Sequence, residues 1–158
     1  MSASKQGFVT LSSELCGFSE LTLRGTGYAD AYFAAVVDMV GNDLVEELLT
    51  TYGRLPADPE ARDRTLRARI LSDEKLGPIA RNIVKLWYTS IWFELPDAWH
   101  KKFKTQREDR RFIPFTYAYR EGLLAPAVGA HVQGAKPPGY GSWAERPVLL
   151  EFDGDPML

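Results

Sequence analysis

The stretch Leu76-Gly-Pro-Ile-Ala-Arg-Asn-Ile-Val-Lys-Leu-Trp-Tyr-Thr-Ser-Ile-Trp-Phe93 decides the fold. Ile79, Ile83, Trp87 and Ile91 recur every fourth residue, and Ala80, Val84, Tyr88 and Trp92 form the adjacent row. That spacing places both rows on one side of an α-helix. Charge is confined to Arg81 and Lys85, and none occurs from Leu86 to Phe93. The first half therefore reads as amphipathic and the second as enclosed all round. Ser72 and Asp73 supply capping side chains ahead of it, and Pro96 is expected to end it.

The segments before it also read as helices. Tyr28 to Val40 is apolar on nearly every face, carries charge only at Asp30 and Asp38, and stops at Gly41. It should be buried on most sides, and it falls short of the ~20 apolar residues a membrane span needs. Asn42 and Asp43 are the expected caps of Leu44–Tyr52, in which Leu44, Leu48 and Tyr52 lie one turn apart with Glu46 and Glu47 outside. Phe8 to Gly17 is a short helix with Thr10 as expected cap and Gly17 as left-handed terminator. Ser19 caps the residues that follow. Arg54 to Pro59 is a loop, and Glu60 to Leu71 is a surface helix with a thin stripe of Leu66, Ile70 and Leu71.

Beyond Pro96 the pattern changes. Asp97 to Arg111 is polar and basic. Phe112 to Tyr119 suits a strand or an irregular apolar segment, with Pro114 arguing against a central strand. Tyr119 to Leu124 adds a helical turn. From Ala125 onward glycine and proline recur, so an extended or looped tail is expected. That tail carries Tyr140, Trp143, Val148, Leu149, Leu150 and Phe152, which must dock on something. The expected architecture is mostly α: one compact helical domain over 1–158. It comprises a flexible N-terminus (1–7), a helical body (8–124) and an extended, irregular Pro/Gly-rich C-terminal tail (125–158) that docks on the body or on a partner.

Composition narrows the function. With 45% hydrophobic and 12% aromatic residues, the 158-residue chain can build a core. A net charge of -2 gives no general attraction to nucleic acid or anionic membranes. Cys16 is the sole cysteine, so no internal disulfide forms, and two histidines (His100, His131) are too few for most zinc sites. Gly141-Ser-Trp143 does not match a nucleophile elbow. Gly25-Thr-Gly27 lacks a preceding strand and a third glycine, position 30 being Asp. Glu46 and Glu47 point about 100° apart on a helix and share no site. Asp97 with His100 reads as ordinary surface. The basic run Lys101, Lys102, Lys104, Arg107, Arg110, Arg111 reads first as a solvated face, next as a contact for an acidic partner, and last as a nucleic-acid site. No catalytic, cofactor-binding or metal-ligating residue is assigned. The surplus of apolar side chains points to a subunit or adaptor.

A family resemblance agrees with that reading. Phe8-Val-Thr-Leu-Ser12 resembles the F-x-T-L-S opening of the mature small subunit of membrane-associated FAD-dependent sugar and polyol dehydrogenases. Ile83-Val-Lys-Leu-Trp-Tyr-Thr-Ser-Ile91 resembles the family's I-L-x-x-W-Y-x-G-I helix. Tyr119-Arg-Glu-Gly-Leu123 resembles its Y-x-x-A-L segment, and Pro137 to Pro147 its P-G-x-W-x-x-K/R-P ending. The matches run in the family's order over roughly residues 8–147. The resemblance implies a non-catalytic small subunit that stabilises and helps mature a large glucose-methanol-choline-type flavoprotein. FAD would sit in that partner, and a multihaem cytochrome c would form a third subunit. Trp87, Tyr88, Trp92, Tyr140 and Trp143 are the expected partner anchors, with Arg146 at the rim. The complex would be periplasmic; Met1 to Phe8 contains no secretory h-region, which leaves the cytoplasm open. Ser90 stands where the family has Gly, and Lys101–Arg111 looks like an addition. The alternative is a standalone helical module that binds a small apolar ligand in a pocket lined by Leu86–Phe93.

Overall fold

Where each helix begins is set by which side chain accepts its first free N–H groups. The computed structural model describes residues 4–103, 105, 109–130 and 132. Helix α1 (Lys5–Cys16) is capped by Ser4, whose Oγ accepts from Gly7 N at 3.0 Å. Residues 5–7, expected to be flexible, are therefore its first turn. Thr10, expected as the cap, lies inside the helix and bonds back to Gln6 O and across to Glu20. Gly17 ends α1 in the left-handed conformation (φ 72°) as expected. Ser19 caps α2 (Glu20–Gly25). Helices α3 (Ala29–Val40) and α4 (Asn42–Gly53) meet at Gly41, whose φ of 95° suits only glycine. Gly41 holds the capping position of α4, and no side chain caps it, so the expected role of Asn42 and Asp43 is not realised.

Asp58 caps α5 (Pro59–Leu66), which widens into a π-helical turn at Arg67–Leu71. Asp73 Oδ1 then accepts from Lys75 N and Leu76 N at 2.8 and 2.7 Å, opening α6 (Leu76–Thr89). Helix α6 stops well before Pro96. Ser90 takes a left-handed conformation (φ 59°, ψ 24°) and terminates it. A non-glycine residue there costs roughly 1–2 kcal/mol. Two buried hydrogen bonds offset that cost: Ser90 Oγ donates to Ala118 O at 2.8 Å and accepts from Tyr32 Oη at 2.9 Å.

Released from the helix, Trp92 forms an antiparallel bridge with Phe112 through paired backbone bonds of 2.9 and 3.1 Å. Among the described residues this isolated bridge is all that remains of the strand alternative for 112–119. Helix α7 (Asp97–Phe103) lies between the bridged residues. A 3-10 turn (Ala118–Glu121) and a one-turn helix α8 (Leu124–Ala127) follow, so the segment expected to be extended from Ala125 begins helical. The rest of that expectation, beyond 132, lies outside the described residues.

The described residues form a compact, mostly α fold, as the periodicity predicts. Helix α1 packs on α2, α3, α4 and α6, and α3 packs on α4 and α6. Phe8 and Leu11 of α1, Tyr32 and Val36 of α3, and Ile79, Ile83 and Leu86 of α6 are almost completely buried. Each such side chain contributes about 1.5–3 kcal/mol by leaving water.

Candidate functional site

The two tryptophans expected to anchor a partner are core residues. Trp87 is 1% exposed and Trp92 0%. The Trp87 ring lies between Phe8 (centroids 6.4 Å apart) and Tyr32 (4.9 Å, edge-on). Periodicity shows that a row is covered, not by what, and here Phe8 of α1 and Tyr32 of α3 cover Trp87, while Trp92 lies past the helix in the bridge to Phe112. Tyr88 is half-buried; its hydroxyl donates to Cys16 O at 2.9 Å, and its ring meets Phe18 edge-on. The other expected anchors, Tyr140, Trp143 and Arg146, lie outside the described residues.

The basic stretch hides a structural centre that sequence reasoning missed. Asp109, its side chain 1% exposed, accepts from Trp92 Nε1 (2.6 Å) and Leu95 N (2.7 Å) and bonds His100 Nε2 (3.1 Å). His100 Nδ1 in turn pairs with Thr105 Oγ1. The carboxylate that faces His100 is thus Asp109 rather than Asp97. It ties α7 to the chain on both sides of the Trp92–Phe112 bridge. The signal was a lone acidic pair, Glu108-Asp109, inside a basic run. Lys101, Lys102, Arg110 and Arg111 are exposed, as a solvated face requires. Lys102 pairs with Glu74, and the Arg111 guanidinium lies 5.0 Å from the Phe93 ring centre. Lys104 and Arg107 lie outside the described residues.

Among the described residues, surplus apolar surface lies after the bridge rather than at Trp87 and Trp92. Ile113, Phe115, Tyr117, Tyr119, Leu124 and Val128 are exposed, from 45% at Phe115 to 70% at Val128. Ile113, Phe115 and Tyr117 follow one another on irregular backbone, while Tyr119 and Leu124 lie on the short 3-10 and α8 turns, too brief to present one buried face. Two grooves flank this belt. One runs between α3 and the 112–115 segment, with Ala31, Ala34 and Ala35 facing Phe112, Pro114 and Phe115. The Phe115 ring leans on Tyr28 at 5.8 Å, so it is partly pre-positioned. The other groove lies at the end of α6, between Tyr88, Tyr119, Leu124 and Val128. Gly122 lets the belt lie against α6 there. A Cβ at this position would sit 2.9 Å from Tyr88 O, while Leu123 N donates to Trp87 O at 3.0 Å. A cluster of large exposed apolar side chains marks a surface that another segment covers.

The titratable groups serve the scaffold. Burial pushes the Cys16 thiol up to about 12, so at neutral pH it stays protonated and is a poor nucleophile. Burial, and then the hydrogen bond to Glu14, push the Tyr52 phenol up to about 12. Glu14 accepts from Tyr52 Oη at 2.6 Å and pairs with Arg62 at 2.8 Å, clasping α1, α4 and α5 together. Among the described residues, no three His, Cys, Asp or Glu side chains are grouped to hold a metal ion, and no helix is long and apolar enough to cross a membrane. No family model, curated protein or solved structure matches this chain.

Proposed function

We propose that this chain is the non-catalytic small subunit of an FAD-dependent, glucose-methanol-choline-type sugar or polyol dehydrogenase. In this reading it docks the large subunit through the belt around Ile113, Phe115 and Tyr117. The observation that carries the reading is the exposure of these side chains beside the small-residue face of α3. Support from the sequence is the ordered set of motifs from Phe8-Val-Thr-Leu-Ser12 to Pro137–Pro147. Two of those motifs fall on α1 and α6, the helices that pack together in the core. The anchors are then the exposed aromatic residues after the bridge, not Trp87 and Trp92.

The role is physical rather than chemical. A large subunit with its own exposed apolar patch is stabilised when a partner binds only its folded state, by about 4 kcal/mol at a thousand times the dissociation constant. Flavin chemistry would belong to the large subunit and onward electron transfer to a multihaem cytochrome c, in the periplasm. Co-expression tests the reading. Flavin absorbance and dye-linked sugar oxidation should appear only when this chain and a large subunit of that class are produced together, and neither should appear with this chain alone. Sugar oxidation by the purified chain by itself would overturn it.

A further inference from the structure

The Phe93 ring carries two cations at once. Lys85 Nζ lies 5.2 Å from its centre and the Arg111 guanidinium carbon 5.0 Å. We propose that this pair is a carboxylate clamp for an acidic segment, rich in Asp and Glu, on the edge of the partner protein, resting on the reading that a protein docks at the belt around Ile113, Phe115 and Tyr117.

The bridge builds the clamp. Trp92 and Phe112 pair in antiparallel fashion, so Phe93, the residue after one, stands across from Arg111, the residue before the other. Lys85 reaches the ring from α6. Buried Asn82, also on α6, donates from Nδ2 to Phe93 O and fixes the backbone that carries the ring. The ring quadrupole orients both cations without neutralising either, and both stay exposed. Among the described residues no Asp or Glu pairs with Lys85 or Arg111, Glu94 beside Phe93 included. Each charge sits near 5 Å from one point, so the two lie within about 10 Å of each other and repel. A carboxylate between them relieves that repulsion. The planar guanidinium offers it parallel N–H groups, and the ammonium offers a point charge.

The surroundings select an acidic protein. Arg111 stands two residues before Ile113, where the exposed apolar belt begins, so one partner reaches both. An apolar patch with a charged rim is the ordinary anatomy of a protein interface. Against a net charge of -2, a local cationic spot also fixes the register in which an acidic edge is accepted. Nucleic acid fits less well: Lys85 and Arg111 already occupy the ring on which a base would stack, and the net charge repels a polyanion.

Fluorescence anisotropy with the full-length chain and a labelled octaglutamate peptide tests the clamp. The native chain should bind the peptide, and less tightly at ~200 mM salt than at ~50 mM. A Lys85→Gln, Arg111→Gln variant should bind about fivefold more weakly at the lower salt. A Lys101→Gln, Lys102→Gln variant loses as many charges and should stay within about twofold of the native chain. No binding by the native chain, unchanged binding by the clamp variant, or an equal loss in both variants would overturn the proposal. Tighter binding of a single-stranded RNA of the same length would overturn it too, by assigning the site to nucleic acid. The peptide stands in for the partner's edge, so none of these outcomes depends on the flavoprotein, whose docking is tested separately by co-expression.

Discussion

The end of α6 and the segment from Ile113 to Val128 are both rich in aromatic residues, yet the fold treats them in opposite ways. Trp87 and Trp92 are enclosed, whereas Phe115, Tyr117 and Tyr119 stand in solvent. The difference lies in the backbone. On α6, side chains at four-residue spacing share one direction, so neighbouring helices cover Trp87. Trp92, past the end of the helix, is held by the bridge to Phe112 and by Asp109. After the Trp92–Phe112 bridge the chain runs through irregular backbone and two single turns, and successive large residues project without a common face. Aromatic content alone does not separate a core from a docking surface; periodicity does.

Substitutions at the two ends of this contrast should therefore differ most. Trp87→Ala should cost about 3–5 kcal/mol, the range for emptying a packed aromatic site, whereas Tyr117→Ala should stay within about 0.5 kcal/mol. Urea denaturation of both variants checks this, and equal losses would erase the contrast. Next in size is the joint between the two regions. Asp109→Ala leaves Trp92 Nε1 and Leu95 N buried without their acceptor, which should cost about 3 kcal/mol. Asp109→Asn, which keeps one acceptor oxygen, should recover part of it in the same assay.

Ser90 gives a finer test, because strain and hydrogen bonding oppose each other at one residue. Ser90→Ala keeps the left-handed strain and loses the bonds to Tyr32 and Ala118, so it should cost about 2 kcal/mol. Ser90→Gly loses the same bonds but removes the strain, and should cost about 1 kcal/mol or less. Thermal melts that reversed this order would show that the backbone there is not strained.

The smallest effect is on pH dependence. The folded-state pKa of Cys16 is raised from its ordinary value of 9.0 to about 12. Folding therefore favours the protonated thiol. Its contribution is fully present below pH 9 and is lost as pH rises toward 12. Replacing Cys16 with Ala should flatten part of the alkaline decline in stability, measured by denaturation at stepped pH. An unchanged slope would show that the buried thiol does not report the core.

What the sequence made legible follows the same division. The rows Ile79-Ile83-Trp87 and Ala80-Val84-Tyr88, and the caps at Gly17, Ser19 and Asp73, depend on residues near in sequence, and the structure places them as read, whereas Ile91 and Trp92, expected to continue the two rows, lie past the end of α6. The end of α6 depends on residues far away. Pro96 was the local stop signal, but Tyr32 and Ala118 hold Ser90 in its left-handed turn and end the helix first. Asp109 was unreadable for the same reason: its donors come from Trp92, Leu95 and His100, which local pattern does not connect to it. The exposed apolar belt was half legible. An apolar surplus was visible in the composition, while its location depended on which aromatic residues α1 and α3 happen to cover.

The central claim is that the exposed side chains after the bridge hold a flavoprotein. The most direct measurement is the flavin absorbance retained on an affinity-tagged chain co-produced with the large subunit, compared between the native sequence and a Phe115→Asp, Tyr117→Asp variant. Both positions are exposed, so the variant should melt as the native chain does. Loss of two central anchors should reduce retained flavin tenfold or more, since each ~1.4 kcal/mol is a factor of ten in affinity. Equal flavin on both chains, with equal melting temperatures, would contradict the claim.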